Sequence, residues 1–158
     1  MSETKAPRTD TEQVRDLITR FEHAMNSRQL ELLDDIMTDD FTRYCEATPD
    51  VNVRSLDDFK DFLRQNTLSF PDNVQRVEQV VVEGDRAGVW MTYEGTPEGQ
   101  LGPFPPSGRR AFFHFGGIFT IRDGKLAAFS VTWDNVNILT QLGHLPAPTN
   151  ADEAAGGR

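Results

Sequence analysis

The sequence predicts an α+β domain in which helices cover one face of an antiparallel sheet. Two observations carry that expectation. Apolar residues recur at helical spacing up to about Asn66, and from Val74 onward they alternate with a period of two. Gly84-Asp85 and Asp123-Gly124 then punctuate the alternating part as hairpin turns. At 158 residues the chain fits one domain with a normal core.

The first helix is expected from about Thr11 to Asn26, with Val14, Leu17, Ile18, Phe21, Ala24 and Met25 on one face. Ser27 is placed to cap a second, about Arg28 to Met37, with Leu30, Leu33 and Ile36 inward and Glu31, Asp34 and Asp35 outward. Asp40 to Cys45 alternates and reads as a first short strand. Ser55, with Asp58 three residues on, resembles a capping box and opens a third helix, Leu56 to about Asn66. Strands are expected over Val74–Glu83, Arg86–Thr96, Arg109–Arg122 and Lys125–Trp133, with a Pro- and Gly-rich loop over Pro97–Gly108. A short helix, Asn137–Leu142, closes the fold. Residues 1–10 and 147–158 are rich in Pro, Ala, Gly and charge and are expected to be disordered, which leaves a domain over 11–146.

Composition excludes several classes. A net charge of −9 argues against a nucleic-acid or anionic-membrane partner, which calls for a basic patch. The single cysteine, Cys45, cannot form an intrachain disulfide and suits a reducing cytoplasm. No stretch approaches the ~20 apolar residues of a membrane helix, and Met1–Asp10 lacks the apolar run of a signal peptide. A soluble, cytoplasmic protein with a small organic ligand is the expectation. No Cys/His cluster suggests a metal, and no Gly-rich loop suggests a nucleotide, so cofactor-free chemistry or simple binding is expected.

Asp134 is the leading candidate for chemistry. It stands where the last strand ends and the last helix begins, in Thr132-Trp133-Asp134-Asn135. If Asp123-Gly124 occupy a two-residue turn, Arg122 pairs with Lys125. Counting outward sets Phe113 opposite Asp134, Phe115 opposite Thr132, Gly117 opposite Ser130 and Phe119 opposite Ala128. Asp134 would then share a sheet face with Phe113, Phe115, Phe119, Ser130 and Thr132, while His114, Ile118, Phe129, Val131 and Trp133 take the other. A bulge would invert part of this pattern. Beside aromatic rings a carboxylate loses hydration and its pKa rises, as acid/base work requires. Alternatively Asp134 caps the following helix, and the N–H groups it accepts lower its pKa instead. Spacing alone favours the cap.

Tyr44 and Tyr93 are placed on strands as candidate hydrogen-bond donors to a ligand oxygen. His114, flanked by Phe112, Phe113 and Phe115, reads as a core or dimer-face histidine, with catalysis the secondary reading. Glu94 is either a solvent-face residue or a second carboxylate for Asp134. Trp133, next to Asp134, completes the secondary candidates. Gly102 to Gly108 is a stiff turn sequence suited to the rim of a pocket.

Three segments in register carry a family resemblance. VTWDNVNILTQLG (Val131–Gly143), TYEGTPEGQLGPFPPSGRR (Thr92–Arg110) and FTIRDGKL (Phe119–Leu126) resemble motifs of the SnoaL-like polyketide cyclases of the NTF2-like superfamily. The resemblance covers roughly Thr11 to Leu145. It implies an NTF2-like cone, a curved antiparallel sheet packed on N-terminal helices around an apolar pocket, with the Asp134 face concave. It also implies a homodimer through the outer sheet face and a cofactor-independent reaction. In that reaction Asp134 would be the acid/base of an intramolecular aldol closure on a polyketide-like or polycyclic molecule. Phe113, Phe115 and Phe119 would form the wall, and Tyr44, Tyr93, Ser130 and Thr132 would hydrogen-bond the ligand. The chain departs from the family pattern at Pro97, where a histidine is common, and near Tyr44 and Cys45, where another is absent. Ala128 and Ser130 replace larger residues, which predicts a larger pocket. The alternatives are a non-catalytic ligand-binding protein and, ranked lower, an epoxide hydrolase of the limonene type, which needs an Asp–Arg pair on pocket-facing strands.

Overall fold

Residues 10–147 are described by the structure, a computed structural model. The disordered ends expected at 1–10 and 147–158 lie, but for Asp10 and Ala147, outside them. Helix α1 (Thr11–Ser27) begins at Asp10, whose carboxylate accepts the Glu12 N–H at 3.3 Å. It buries Val14, Leu17, Ile18, Phe21, Ala24 and Met25, the face that the sequence spacing marks. Arg28 ends the helix in a left-handed conformation (φ 62°), and its guanidinium donates to the carbonyls of Met25, Pro71 and Asn73.

The second expected helix therefore lacks a start. Ser27 stays inside α1, no side chain caps the next segment, and Leu30–Asp35 is a short 3₁₀ helix rather than an α-helix over 28–37. Met37 joins strand β1 (Met37–Cys45), because the Leu126 N–H donates to the Ile36 carbonyl at 2.8 Å and Met37 pairs with Leu126. Helix α2 (Leu56–Ser69) opens as expected: Ser55 Oγ accepts the Asp58 N–H at 3.0 Å, and Asp58 reaches back to the Arg54 N–H at 3.0 Å.

Strands β2 (Val74–Glu83), β3 (Arg86–Gly95), β4 (Ala111–Arg122) and β5 (Lys125–Thr132) lead into helix α3 (Asn135–Gln141). The strand order is β1-β5-β4-β3-β2. The neighbours from β5 to β2 are antiparallel, whereas β1 lies parallel to β5, so the sheet is mixed rather than wholly antiparallel. The curved sheet wraps over α1 and α2 as the expected α+β cone. Bulges supply curvature. One falls at Glu78, between the Val77–Met91 and Gln79–Trp90 pairs, and another at Ala127.

The bulge at Ala127 corrects the hairpin register deduced from the turn. Arg122–Lys125 and Ile121–Leu126 pair as expected, but the next pair is Thr120–Ala128. Beyond it Phe119 faces Phe129, Ile118 faces Ser130, and Gly116 faces Thr132. The extra residue inverts the remainder of β5 relative to β4. Phe113, Phe115 and Phe119 thus share the inner face with Phe129 and Val131, while Ala128, Ser130 and Thr132 turn outward. The core lies between this inner face and the helices, with Phe21 of α1 edge-on to Phe119 at 5.2 Å and Phe59 of α2 packed on Phe41 of β1 at 5.0 Å.

Candidate active site: an aromatic cavity with one buried cation

Between α2, the inner face of the sheet and α3 the side chains leave a cavity of about 410 Å³. Its sheet wall is Tyr93, Phe113, Phe115, Phe129 and Val131. Phe62, Leu63 and Asn66 of α2 face them, and Ile138 and Leu139 of α3 close one side. Leu101, Gly102, Pro103 and Phe104, from the loop between β3 and β4, form the rim expected of that stiff segment. Leu101 and Phe104 exchange backbone hydrogen bonds of 2.9 Å, and the Phe104 ring stacks on His144 at 4.8 Å, which pins the loop to the segment after α3.

The polar groups in this wall are few. Tyr93 is 8% exposed and donates its hydroxyl to Asn66 Oδ1 at 3.1 Å. Burial pushes its pKa above the ordinary tyrosine range, with the Asn66 bond opposing. Gln75 also borders the cavity. Asn135 is fixed at the edge: its Oδ1 accepts Trp133 Nε1–H at 2.8 Å and its Nδ2 donates to the Ala47 carbonyl at 2.8 Å.

Arg43, which is not among the residues proposed from sequence, is the charged side chain of the wall. In β1 the alternation puts Phe41, Arg43 and Cys45 inside and Tyr44 outside. Arg43 is only 6% exposed. Its guanidinium carbon lies 4.2 Å from the Phe62 ring centroid and 5.5 Å from that of Trp133. Nη1 makes a long hydrogen bond of 3.4 Å to Thr48 Oγ1. Burial lowers its pKa, with the neighbouring Cys45 opposing, yet a guanidinium remains a cation under all ordinary conditions. The one available signal was phase: Arg43 falls between Phe41 and Cys45 on the inward side of an alternating strand.

Of the residues proposed from sequence, Tyr93, Phe113, Phe115 and Trp133 meet in the cavity wall. Phe119 does not; it is fully buried beneath the cavity, stacked on Phe129 at 3.8 Å. Tyr44 is 64% exposed on the opposite side of β1, with its hydroxyl 3.4 Å from Glu46. Ser130 and Thr132 are exposed on the outer face because of the Ala127 bulge, so the smaller side chains at Ala128 and Ser130 do not enlarge the cavity. Glu94 pairs with Arg110 at 3.2 Å rather than with Asp134. His114 stacks on Trp90 at 5.4 Å on the outer face and lies 3.3 Å from Glu78.

Asp134 is exposed and caps α3, its Oδ1 accepting the Asn137 N–H at 3.1 Å. It lies beyond the end of β5, outside the ladder with the phenylalanines, and its carboxylate is not among the groups lining the cavity. Its two chain neighbours, Trp133 and Asn135, are. Among the described residues no cluster of three or more His, Cys, Asp or Glu side chains is arranged to hold a metal ion, and no helix is long and apolar enough to cross a membrane.

This architecture has known counterparts. The structure of TsrD from Streptomyces laurentii matches with a TM-score of 0.78 and 28% identity, over 87% of this chain and 99% of that one. IdmH from Streptomyces antibioticus, a proposed polyketide cyclase, matches with a TM-score of 0.72 and 26% identity, over 82% and 97%. AclR from Streptomyces galilaeus, a proposed hydroxylase, shares the fold with a TM-score of 0.77 at 23% identity, over 94% and 96%. No curated protein matches the chain in sequence. The family model described as SnoaL-like polyketide cyclase matches residues 15–142, most of the chain and every element that builds the cavity, and the protein belongs to that family.

Proposed function

We propose that the protein is a cofactor-independent cyclase that closes a ring on a polycyclic, polyketide-like molecule held in the aromatic cavity. The observation that carries this reading is the cavity itself: a wall of Phe, Tyr and Trp rings with a few fixed polar groups, in a member of a cyclase family. Flat walls hold a flexible side chain of the substrate near the carbonyl it must attack, which converts an improbable encounter into a favoured one. In an intramolecular aldol closure a base removes the acidic proton between two carbonyls. The carbanion attacks a ketone carbon, and the resulting alkoxide takes a proton back. No redox equivalent is consumed.

We assign the proton transfer to Asp134, acting from the rim between Trp133 and Asn135 after its side chain releases the Asn137 N–H. Changing Asp134 to Asn preserves the cap and removes the base. Turnover of a tricyclic aromatic ketone bearing a β-keto ester arm should fall by a factor of about 10² or more, with binding unchanged. Unchanged turnover would remove Asp134 from the mechanism.

A second reading, a ligand carrier without turnover, is favoured by one observation: among the described residues no carboxylate or imidazole lines the cavity. It predicts tight binding of the same compound and no product from the wild-type protein. The same observation counts against a limonene-type epoxide hydrolase, because Arg43 has no aspartate beside it in the wall. The partner beyond the ligand is proposed to be a second copy of the chain. The outer sheet face presents Val81, Trp90, Phe112 and Ile118, all 46–69% exposed, and exposed apolar side chains of that kind suit a self-complementary contact.

A further inference from the structure

The sequence carries 25 acidic side chains against 16 basic ones, so an arginine has no shortage of carboxylates to pair with. Arg43 pairs with none of them among the described residues, and the ion pairs that do form there are all at least partly exposed. A buried cation without an anion is costly to fold around. The rings of Phe62 and Trp133 offset part of that cost through their faces, at 4.2 and 5.5 Å. Ring contacts leave the edge of the guanidinium plane, where its five N–H donors project, free to bind something else. Its protein acceptors are weak ones: Nη1 reaches the distant Thr48 hydroxyl, and the Cys45 sulfur lies close enough to oppose the lowering of its pKa. The side chain borders the cavity. Tyr93 is the other titratable group in this wall.

We infer that Arg43 is the receptor for an ionised oxygen on the ligand, and that the ligand class is a flat polycyclic compound whose edge carries an enol or phenol that gives up its proton to bulk water on binding. This rests on the proposed function, which makes the cavity the ligand site, and it adds which chemical group the site recognises. A fixed cation in a largely apolar cavity favours the charged form of an acidic oxygen beside it and lowers its pKa. A delocalised enolate or phenolate suits the position better than a compact carboxylate, because it gives up less hydration on entering an apolar wall. In a ring closure the same contact would hold the enolate oxygen while the carbanion carbon attacks, so Arg43 would touch the reacting group.

The probes are 2-naphthol, 2-naphthoate and 2-methylnaphthalene. Binding is read by quenching of Trp133 fluorescence in a Trp90→Phe background, and ionisation by naphtholate absorbance across a pH series. The wild-type cavity should bind naphtholate at least roughly tenfold more tightly than 2-methylnaphthalene, as one charge-assisted hydrogen bond implies, and bound naphthol should ionise about one pH unit or more below free naphthol. Arg43→Met keeps the packing volume. It should abolish both the preference and the shift while retaining 2-methylnaphthalene binding, and Arg43→Lys should restore part of the shift. Equal binding of naphthol and 2-methylnaphthalene, or an ionisation shift that survives Arg43→Met, would overturn the inference while leaving the cavity as the ligand site. Tighter binding of 2-naphthoate than of naphtholate would overturn the assignment to a delocalised oxygen. Failure of all three probes to bind would instead overturn the cavity reading on which the inference stands.

Discussion

Phe119 pairs across the last hairpin with Phe129, and the two rings stack in parallel with centroids 3.8 Å apart. That contact exists because Ala127 bulges out of the ladder, and it decides which residues of β5 face the ligand. With the bulge, Phe129 and Val131 look into the cavity and Ser130 and Thr132 look out. Removing Ala127 should restore the simple hairpin register and turn Phe129 and Val131 to solvent. Loss of two large buried side chains belongs among the severe changes, costing more than about 4 kcal/mol. Chemical denaturation of the deletion variant should show no cooperative transition, whereas Ala127→Gly should retain one.

Gly117 sits under this same crossing. A Cβ there would meet the Ser130 carbonyl oxygen, Phe129 Cε2 at 2.6 Å and Val131 Cα at 3.0 Å. Two of these three contacts are backbone atoms that cannot step aside without disturbing the sheet. Gly117→Ala should lower stability by about 1–3 kcal/mol in urea denaturation, and Gly84→Ala, at a turn with open space, should not alter the cavity.

Asp134 offers a separation of capping from catalysis. Asn caps a helix as well as Asp does, and Ala does not. Asp134→Ala should cost about 1 kcal/mol of stability and Asp134→Asn close to none, measured by the same denaturation. Both should lose turnover if the carboxylate is the base. Turnover lost only in the Ala variant would mean that Asp134 acts by holding α3 against the cavity.

Tyr93 makes alkaline stability a test of the wall. Its folded pKa is raised by burial, so its contribution is present in full below the ordinary tyrosine range near about 10 and is lost as pH climbs through the folded value. In a Tyr44→Phe background Tyr93 is the sole tyrosine. Its ionisation, followed by ultraviolet absorbance, should occur above the ordinary range and together with the loss of folded structure. Ionisation in the ordinary range with the fold intact would show that the wall is open to water.

The outer face predicts its own behaviour. Ile118→Lys places a charge in the middle of the exposed apolar patch, and it should weaken self-association by roughly tenfold or more in sedimentation without changing the denaturation midpoint of the monomer. A wild-type protein that sediments as a monomer at high concentration would remove the dimer from the account.

Most of the fold was legible because its signals were periodic. The α1 face, the Ser55 cap, both hairpin turns and the inward set of β4 follow from spacing and turn chemistry. The second helix was misread because its apolar spacing fits a helix, whereas Arg28 in a left-handed conformation breaks the chain just before it. The cavity was half legible. Phe113 and Phe115 were found, but the bulge lies within Leu126-Ala127-Ala128-Phe129, where two small apolar residues blur the alternation that would have marked it. Arg43 was missed because a basic residue on a strand is ordinarily read as facing solvent. Its phase in β1 was the one hint, and the packing of Phe62 and Trp133 around it reveals the buried charge.

The decisive measurement is a crystal structure of the protein with a hydroxyanthraquinone bound. The rings should lie in the cavity against Phe113 and Trp133, with the ionised oxygen within about 3.2 Å of an Arg43 nitrogen. A ligand seated on the outer face beside Trp90, or one in the cavity with its oxygen turned away from Arg43, would contradict it.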